Sequence, residues 1–160
     1  MCTNYLIPSP NVATYDETPL MSAIDVTKQV KKCLENDFDF ILVNYANPDM
    51  LGHTGNMDAT VTSLSALDKI LQTVVESAQD NFYTVMITAD HGNCDIMIDD
   101  NGEIVTTHTT SPVPFILLDK KITLKEKGDL TNIAPTILKY MDIAIPKEMK
   151  ESKDLILEDV

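Results

Sequence analysis

The sequence predicts an α/β fold, a three-layer αβα arrangement in which helices cover the faces of a mostly parallel sheet. Two apolar runs that end directly in polar loops, and a long amphipathic helical stripe between them, carry that expectation. Residues 1–20 contain Pro8, Pro10 and Pro19 and are expected to run extended. Ser22 then reads as a helix N-cap. From Ala23 to Asn36 the apolar positions Ile24, Val26, Val30, Cys33 and Leu34 fall at helical spacing, with Lys28, Lys31 and Lys32 outside. The run FDFILVNYA, Phe38 to Ala46, has the near-continuous apolar character of a strand buried on both faces, and ends at a polar loop, Asn47-Pro48-Asp49. From Met57 to Ala78, Val61, Leu64, Leu67, Ile70, Leu71, Val74 and Val75 trace a helical stripe that no glycine or proline breaks. YTVMITA, Tyr83 to Ala89, is a second strand that stops at Asp90-His91-Gly92. IMIDDNGEIV reads as a hairpin turning at Asn101-Gly102, Pro112 to Asp119 as a further buried strand, and TNIAPTILKYM as a late helix. With no internal repeat, low-complexity tract or linker, one domain is the simplest expectation.

Composition narrows the function classes. The 160 residues are 44% hydrophobic and 23% charged, the balance of a globular domain with a core. The formal net charge is −13, and every one of the 12 basic residues is lysine, so no guanidinium fork is available for phosphate and no nucleic-acid partner is expected. An acidic surface reads first as solubility. Cys2, Cys33 and Cys94 are odd in number and lack a CxxC spacing, which argues against a disulfide framework or a thiolate zinc site and fits a reducing cytoplasm. No apolar run approaches the ~20 residues that span a bilayer. The first residues also lack the basic start and apolar stretch of an export signal, so no membrane partner is expected.

All three histidines sit in polar segments rich in Asp, Asn, Gly or Thr: NPDMLGHTG holds His53, TADHGNCD holds His91 and TTHTTSPVP holds His108. Neutral imidazole suits the first-row divalent metals, and carboxylates suit harder ions, so the mixed set fits a divalent centre. Asp49 and the Asp90-His91 pair each follow a predicted buried strand, where ligand sites of open α/β sheets lie. Asp49 and His53 are four residues apart, and one helical turn brings a carboxylate oxygen and a ring nitrogen together, with Gly52 and Gly55 permitting the bend. Adjacent side chains at a strand end diverge, but the glycine after Asp90-His91 lets both aim inward. Each histidine taken alone also has an ordinary reading, a turn or solvated-loop residue. Cys94 reads as a packing thiol rather than a nucleophile. Thr109, Thr110 and Ser111 read as residues that orient ligands or cap turns.

Taken together, PSPNVATYD, NYANPDMLGHTG, ITADHGNCD and HTTSPVPFILL resemble the C-terminal part of the cofactor-independent phosphoglycerate mutases, in order and in spacing, from Ile7 to near Leu155. The resemblance implies a partial alkaline-phosphatase-like fold. It also implies interconversion of 3-phosphoglycerate and 2-phosphoglycerate in glycolysis through a phosphoserine intermediate. Two divalent ions serve such a reaction, manganese first with magnesium, cobalt and zinc compatible, and no organic cofactor is implied. Carried over by motif, Asp49, His53 and His108 hold one ion, and Asp90 and His91 help hold the other. The implied parent is a cytoplasmic monomer acting on phosphoglycerate. The family's nucleophilic serine, a further aspartate ligand and the substrate-gripping arginines of its transferase domain have no counterpart here. None of Ser9, Ser22, Ser63, Ser65 or Ser111 lies in a matching motif, so no catalytic serine is assigned. Near the end, KEMKESKDLI lacks the glycine that relatives place at Glu151 or Ser152. Residues 1–160 are therefore expected to be the C-terminal portion of a metal-binding phosphatase-like domain, inactive alone. Two alternatives stand beside this. One is another superfamily enzyme, a phosphopentomutase or a phosphatase; the other is a non-enzymatic metal-binding domain. NPDMLGHTG and HTTSPVP favour the mutase.

Overall fold

A computed structural model describes residues 2–149 and 151–157; Met1, Lys150 and residues 158–160 lie outside that description. Residues 2–12 form no helix or strand, and a 3-10 turn at Tyr15–Glu17 is followed by a further turn in which Met21 N donates to Thr18 O. Polar side chains fasten this segment. Ser22 Oγ donates to Pro8 O at 2.7 Å, the buried Asn47 amide donates to the carbonyls of Pro19 and Leu20, and the buried Ser63 hydroxyl donates to Pro19 O.

Helix α1 (Ala23–Leu34) starts where Ser22 places it, but the Ser22 hydroxyl serves Pro8 rather than the helix end. Its packed face is Ala23, Thr27, Val30, Cys33 and Leu34, and Ile24, expected on the apolar stripe, is exposed instead. Asn47-Pro48-Asp49, expected as a loop, is the first turn of helix α2 (Asn47–Gly52). Proline is tolerated there because the first-turn amides have no intrahelical partner. Helix α3 (Met57–Asp80) opens on Asn56, whose side chain accepts from Ala59 N at 3.1 Å.

The large apolar residues of α3 do not all face inward, as the stripe suggested. The buried face is Ala59, Thr60, Ser63, Leu67, Val74 and Ala78, whereas Val61 is 54% exposed and Leu64 lies outside with it. Both α1 and α2 pack against α3, and Leu51 of α2 is fully buried. Further along, Val30, Leu34, Val74 and Ala78 form the core, with Ile41, Val43, Tyr83 and Val85 laid over it.

The run Phe38–Ala46 is extended but is not a strand of a sheet: among the described residues no backbone-to-backbone hydrogen bond reaches residues 39–45. Nor is it covered on both faces. Ile41 and Val43 pack on the helices while Leu42, 85% exposed, and Phe40 face away, the period-two alternation of a ribbon covered on one side. Strand β1 (Met86–Thr88) is the paired part of the expected Tyr83–Ala89 run, and β2 (Phe115–Leu117) that of Pro112–Asp119; the two form a two-stranded sheet. The hairpin is present as the bridge Ile98↔Ile104, with Gly102 at φ +84 where a side chain would be strained. Helices and sheet together make the fold α/β, as expected.

The chain divides into two compact units, Met1–Ile116 and Leu117–Val160. In the second, Asp129 caps a 3-10 turn, Leu130–Asn132, that continues into helix α4 (Ile133–Tyr140), the expected late helix. Thr136, fully buried, accepts from Leu155 N at 2.8 Å and donates to Asn132 O at 2.7 Å, fixing the last described residues to α4. Among the described residues no helix is long and apolar enough to cross a membrane.

Leu51→Ala is expected to lower the unfolding free energy by about 2–5 kcal/mol in a urea titration, because the site beneath α2 is fully enclosed. Leu42→Ala, on the uncovered face, is expected to change it by no more than about 0.5 kcal/mol.

Candidate metal centre

Helix α2 sets the first two side chains. Asp49 lies within it and His53 caps it one turn later, so both project from one face. Asp49 Oδ1 stands 3.2 Å from His53 Nε2 and 3.2 Å from His108 Nε2, and the two nitrogens are 3.1 Å apart. The His53 ring is oriented from behind: its Nδ1 lies 2.7 Å from the Thr106 carbonyl, which can only accept. In the neutral ring that contact puts the proton on Nδ1 and the lone pair on Nε2, the second-shell pattern of metal-ligating histidines.

His91 enters from the loop after β1. Its ring stacks on His108 with centroids 3.7 Å apart and planes inclined at 21°, and its nearest ligand atom joins those of Asp49 and His108 within 4.8 Å. Asp49 and His108 are thus shared by two three-residue groupings, one closed by His53 and the other by His91. Asp90 is not drawn in with its neighbour. Its side chain is 85% exposed and its carboxylate lies 3.7 Å from His91 Nε2, at the rim of the cluster. The divergence of adjacent side chains at a strand end outweighs the freedom that Gly92 gives the loop.

Asn93 and Asp95 were given no role from sequence. Asn93, nearly fully buried, donates its amide to Asp49 Oδ1 at 2.7 Å and to Asp49 O at 3.2 Å, fixing the carboxylate that both groupings share. Gly52 makes room for it, since a Cβ at residue 52 would stand 2.1 Å from Asn93 Oδ1. The bend expected of the two glycines belongs to Gly55, at φ +68, whereas Gly52 is needed for close approach. Thr109, expected to orient or cap, donates its hydroxyl to the Asp95 carboxylate. Burial pushes the Cys94 thiol up, with the neighbouring Asp95 and Asp49 charges adding to it, which disfavours a thiolate.

The donor set suits a divalent cation. Ligand atoms at ~2.1 Å from one ion stand about 3.0–3.4 Å apart in octahedral or tetrahedral geometry, and the Asp49–His53–His108 triangle falls inside that range. Two imidazole nitrogens and a carboxylate oxygen offer no thiolate, consistent with a borderline or hard ion.

Comparison with known proteins covers the stretch that holds these residues. The model of a metalloenzyme superfamily matches residues 2–145. The 2,3-bisphosphoglycerate-independent phosphoglycerate mutase of Mycoplasma genitalium is 49% identical over 147 residues, which are 92% of this chain and 29% of that protein. Its counterpart from Sulfurimonas denitrificans is 49% identical over 150 residues, 94% of this chain and 30% of its own. A crystal structure of Leishmania mexicana phosphoglycerate mutase at low cobalt concentration matches with a TM-score of 0.84 and 28% identity, covering 96% of this chain and 31% of that one. The chain spans about a third of the length of the relatives it matches.

Gly52→Ala is expected to destabilise the chain by about 1–3 kcal/mol, because the added methyl must displace the Asn93 amide from the carboxylate. In an Asn93→Ala background the same substitution is expected to cost much less, a coupling that a double-mutant unfolding cycle reads directly.

Proposed function

The chain belongs to the metalloenzyme superfamily, and from that premise we propose that it is the metal-ligating portion of a phosphoglycerate mutase, the C-terminal part of its phosphatase-like domain. The Asp49–His53–His108 triangle carries this reading: three ligand atoms held 3.1–3.2 Å apart from two separate segments. The identity of near one half to two bacterial mutases supports the substrate, phosphoglycerate. In this reading the parent is a monomeric, cytoplasmic glycolytic enzyme.

Each residue has a task. Asp49, His53 and His108 would hold one ion. His91, stacked on His108, would serve a second position, with Asp90 at its rim. Asn93 holds the Asp49 carboxylate in place, and the Thr106 carbonyl holds the His53 ring. Divalent ions bound there, manganese first among those the donors tolerate, supply the charge neutralisation and Lewis acidity that phosphoryl transfer requires. The serine that accepts the phosphoryl group lies in the part of the parent that this chain does not match, so the chain alone turns over no phosphoglycerate.

Calorimetry and elemental analysis of the purified chain are expected to show stoichiometric manganese binding that is lost in the His53→Ala/His108→Ala variant. In a full-length parent carrying this segment, the same pair of changes is expected to lower mutase activity by more than the ~10–100-fold typical of residues that only support ligands. Normal turnover by that doubly substituted parent would overturn the assignment.

A further inference from the structure

His91 and His108 arrive at the cluster on different segments, the loop after β1 and the stretch between the hairpin and β2. Neither segment is part of a helix or strand at that point. Among the described residues a single backbone hydrogen bond joins residues 90–95 to residues 106–111, from Thr109 N to Gly92 O at 2.8 Å. That bond is the isolated antiparallel bridge Gly92↔Thr109, set beyond the hairpin bonds Val105 N to Met97 O and Asp99 N to Glu103 O, and an isolated bridge opens more easily than a ladder unless side chains reinforce it.

The reinforcement is present over Gly92. Thr109 Oγ1 donates to the Asp95 carboxylate, 3.0 Å from each oxygen, and Ser111 N donates to Thr109 Oγ1 at 3.4 Å. The Ser111 hydroxyl, and after it that of Thr109, hold the Asp95 carboxyl below its ordinary value, so the acceptor stays ionised and its hydrogen bonds are charge-assisted. Room for this arrangement exists because residue 92 has no side chain: a Cβ there would stand 2.2 Å from Thr109 Oγ1 and 2.6 Å from Asp95 Oδ1. Asp95 is outside the grouping of Asp49, His91 and His108, so it acts on the cluster through its neighbours.

We propose that Asp95 and Thr109 form a clasp across Gly92 whose task is to position the His108 segment against His91, and so to set the spacing of the ligand nitrogens. Asp95 and Thr109 are positioning residues. The link from clasp to ligand spacing rests on the metal reading above, whereas the clasp itself does not.

The test uses the 160-residue chain with Thr109→Val, Thr109→Ser, Asp95→Ala and the Asp95→Ala/Thr109→Val pair. Without added metal, hydrogen exchange of the residue-109 amide is expected to speed up about tenfold or more in Thr109→Val and Asp95→Ala, because local opening becomes easier. Thr109→Ser, which keeps the hydroxyl, is expected to stay near the wild-type rate. With manganese, calorimetry is expected to show affinity about 10–100-fold weaker in the same two variants at an unchanged global unfolding midpoint. The pair should be little worse than Asp95→Ala alone, since removing the carboxylate already breaks its bond to Thr109. Unaltered exchange in Thr109→Val and Asp95→Ala overturns the clasp, as does an equal loss in Thr109→Ser. Accelerated exchange with unaltered affinity overturns its link to the ligands. If the wild-type chain binds no manganese, the metal reading fails separately and the exchange rates alone decide the clasp.

Discussion

Asp49 Oδ1, His53 Nε2 and His108 Nε2 stand 3.1–3.2 Å from one another. At that spacing they attract through a proton or a cation shared between them, and the surrounding structure reinforces the arrangement. The means of reinforcement are specific. One turn of α2 fixes the separation of Asp49 and His53, the Thr106 carbonyl turns the His53 ring, and the Asn93 amide holds the carboxylate from a position 44 residues further along the chain. Each device uses a backbone group or a buried amide, which is what gives a ligand set its precision before any ion arrives.

The scaffold is shaped to bring those devices together. α2 is short, and its place is set by close packing on the small residues of α3, by the fully buried Leu51, and by Asn47, which holds the carbonyls of Pro19 and Leu20. Ser63 on α3 takes the same Pro19 carbonyl, so the N-terminal segment is tied to both helices. The first turns of α3 bury the small residues Ala59, Thr60 and Ser63 and leave Val61 outside, whereas Leu67 and Val74 are buried further along.

Much of this was legible in the sequence, and the failures have physical causes. Helices α1, α3 and α4 followed from apolar spacing and from residues at their ends, and the glycine turn of the hairpin followed from Asn101-Gly102. The histidines stood out jointly, because all three lie in polar segments rich in Asp, Asn, Gly or Thr. Periodicity placed Leu67 and Val74 on the buried face of α3 but not the start of the helix, where Ala59, Thr60 and Ser63 are buried and Val61 and Leu64 are exposed. Apolar content could not say that Phe38–Ala46 lacks ladder partners, because pairing is a property of two segments and composition describes only one. Asn93 and Asp95 were missed for a similar reason: the partners that give them meaning, Asp49 and Thr109, are remote in sequence. A hint existed in the glycines. Gly52 and Gly92 each leave a space that one of these polar side chains fills.

On the proposed reading, charge gives the cations a clear task. With a net charge of −13 and no arginine, the chain's long-range field repels a phosphate ester, and surface lysines are poorly suited to grip one bidentately. Each divalent ion seated in the cluster would add two positive charges beside Asp49, reversing the local sign within the ~8 Å over which it acts at physiological ionic strength. Neutral histidines are the right ligands for that purpose, because they bind the ion without cancelling its charge, whereas a site built from four carboxylates would leave no surplus. On the proposed reading, three rings around one shared carboxylate would leave each bound ion surplus positive charge with which to face an anion.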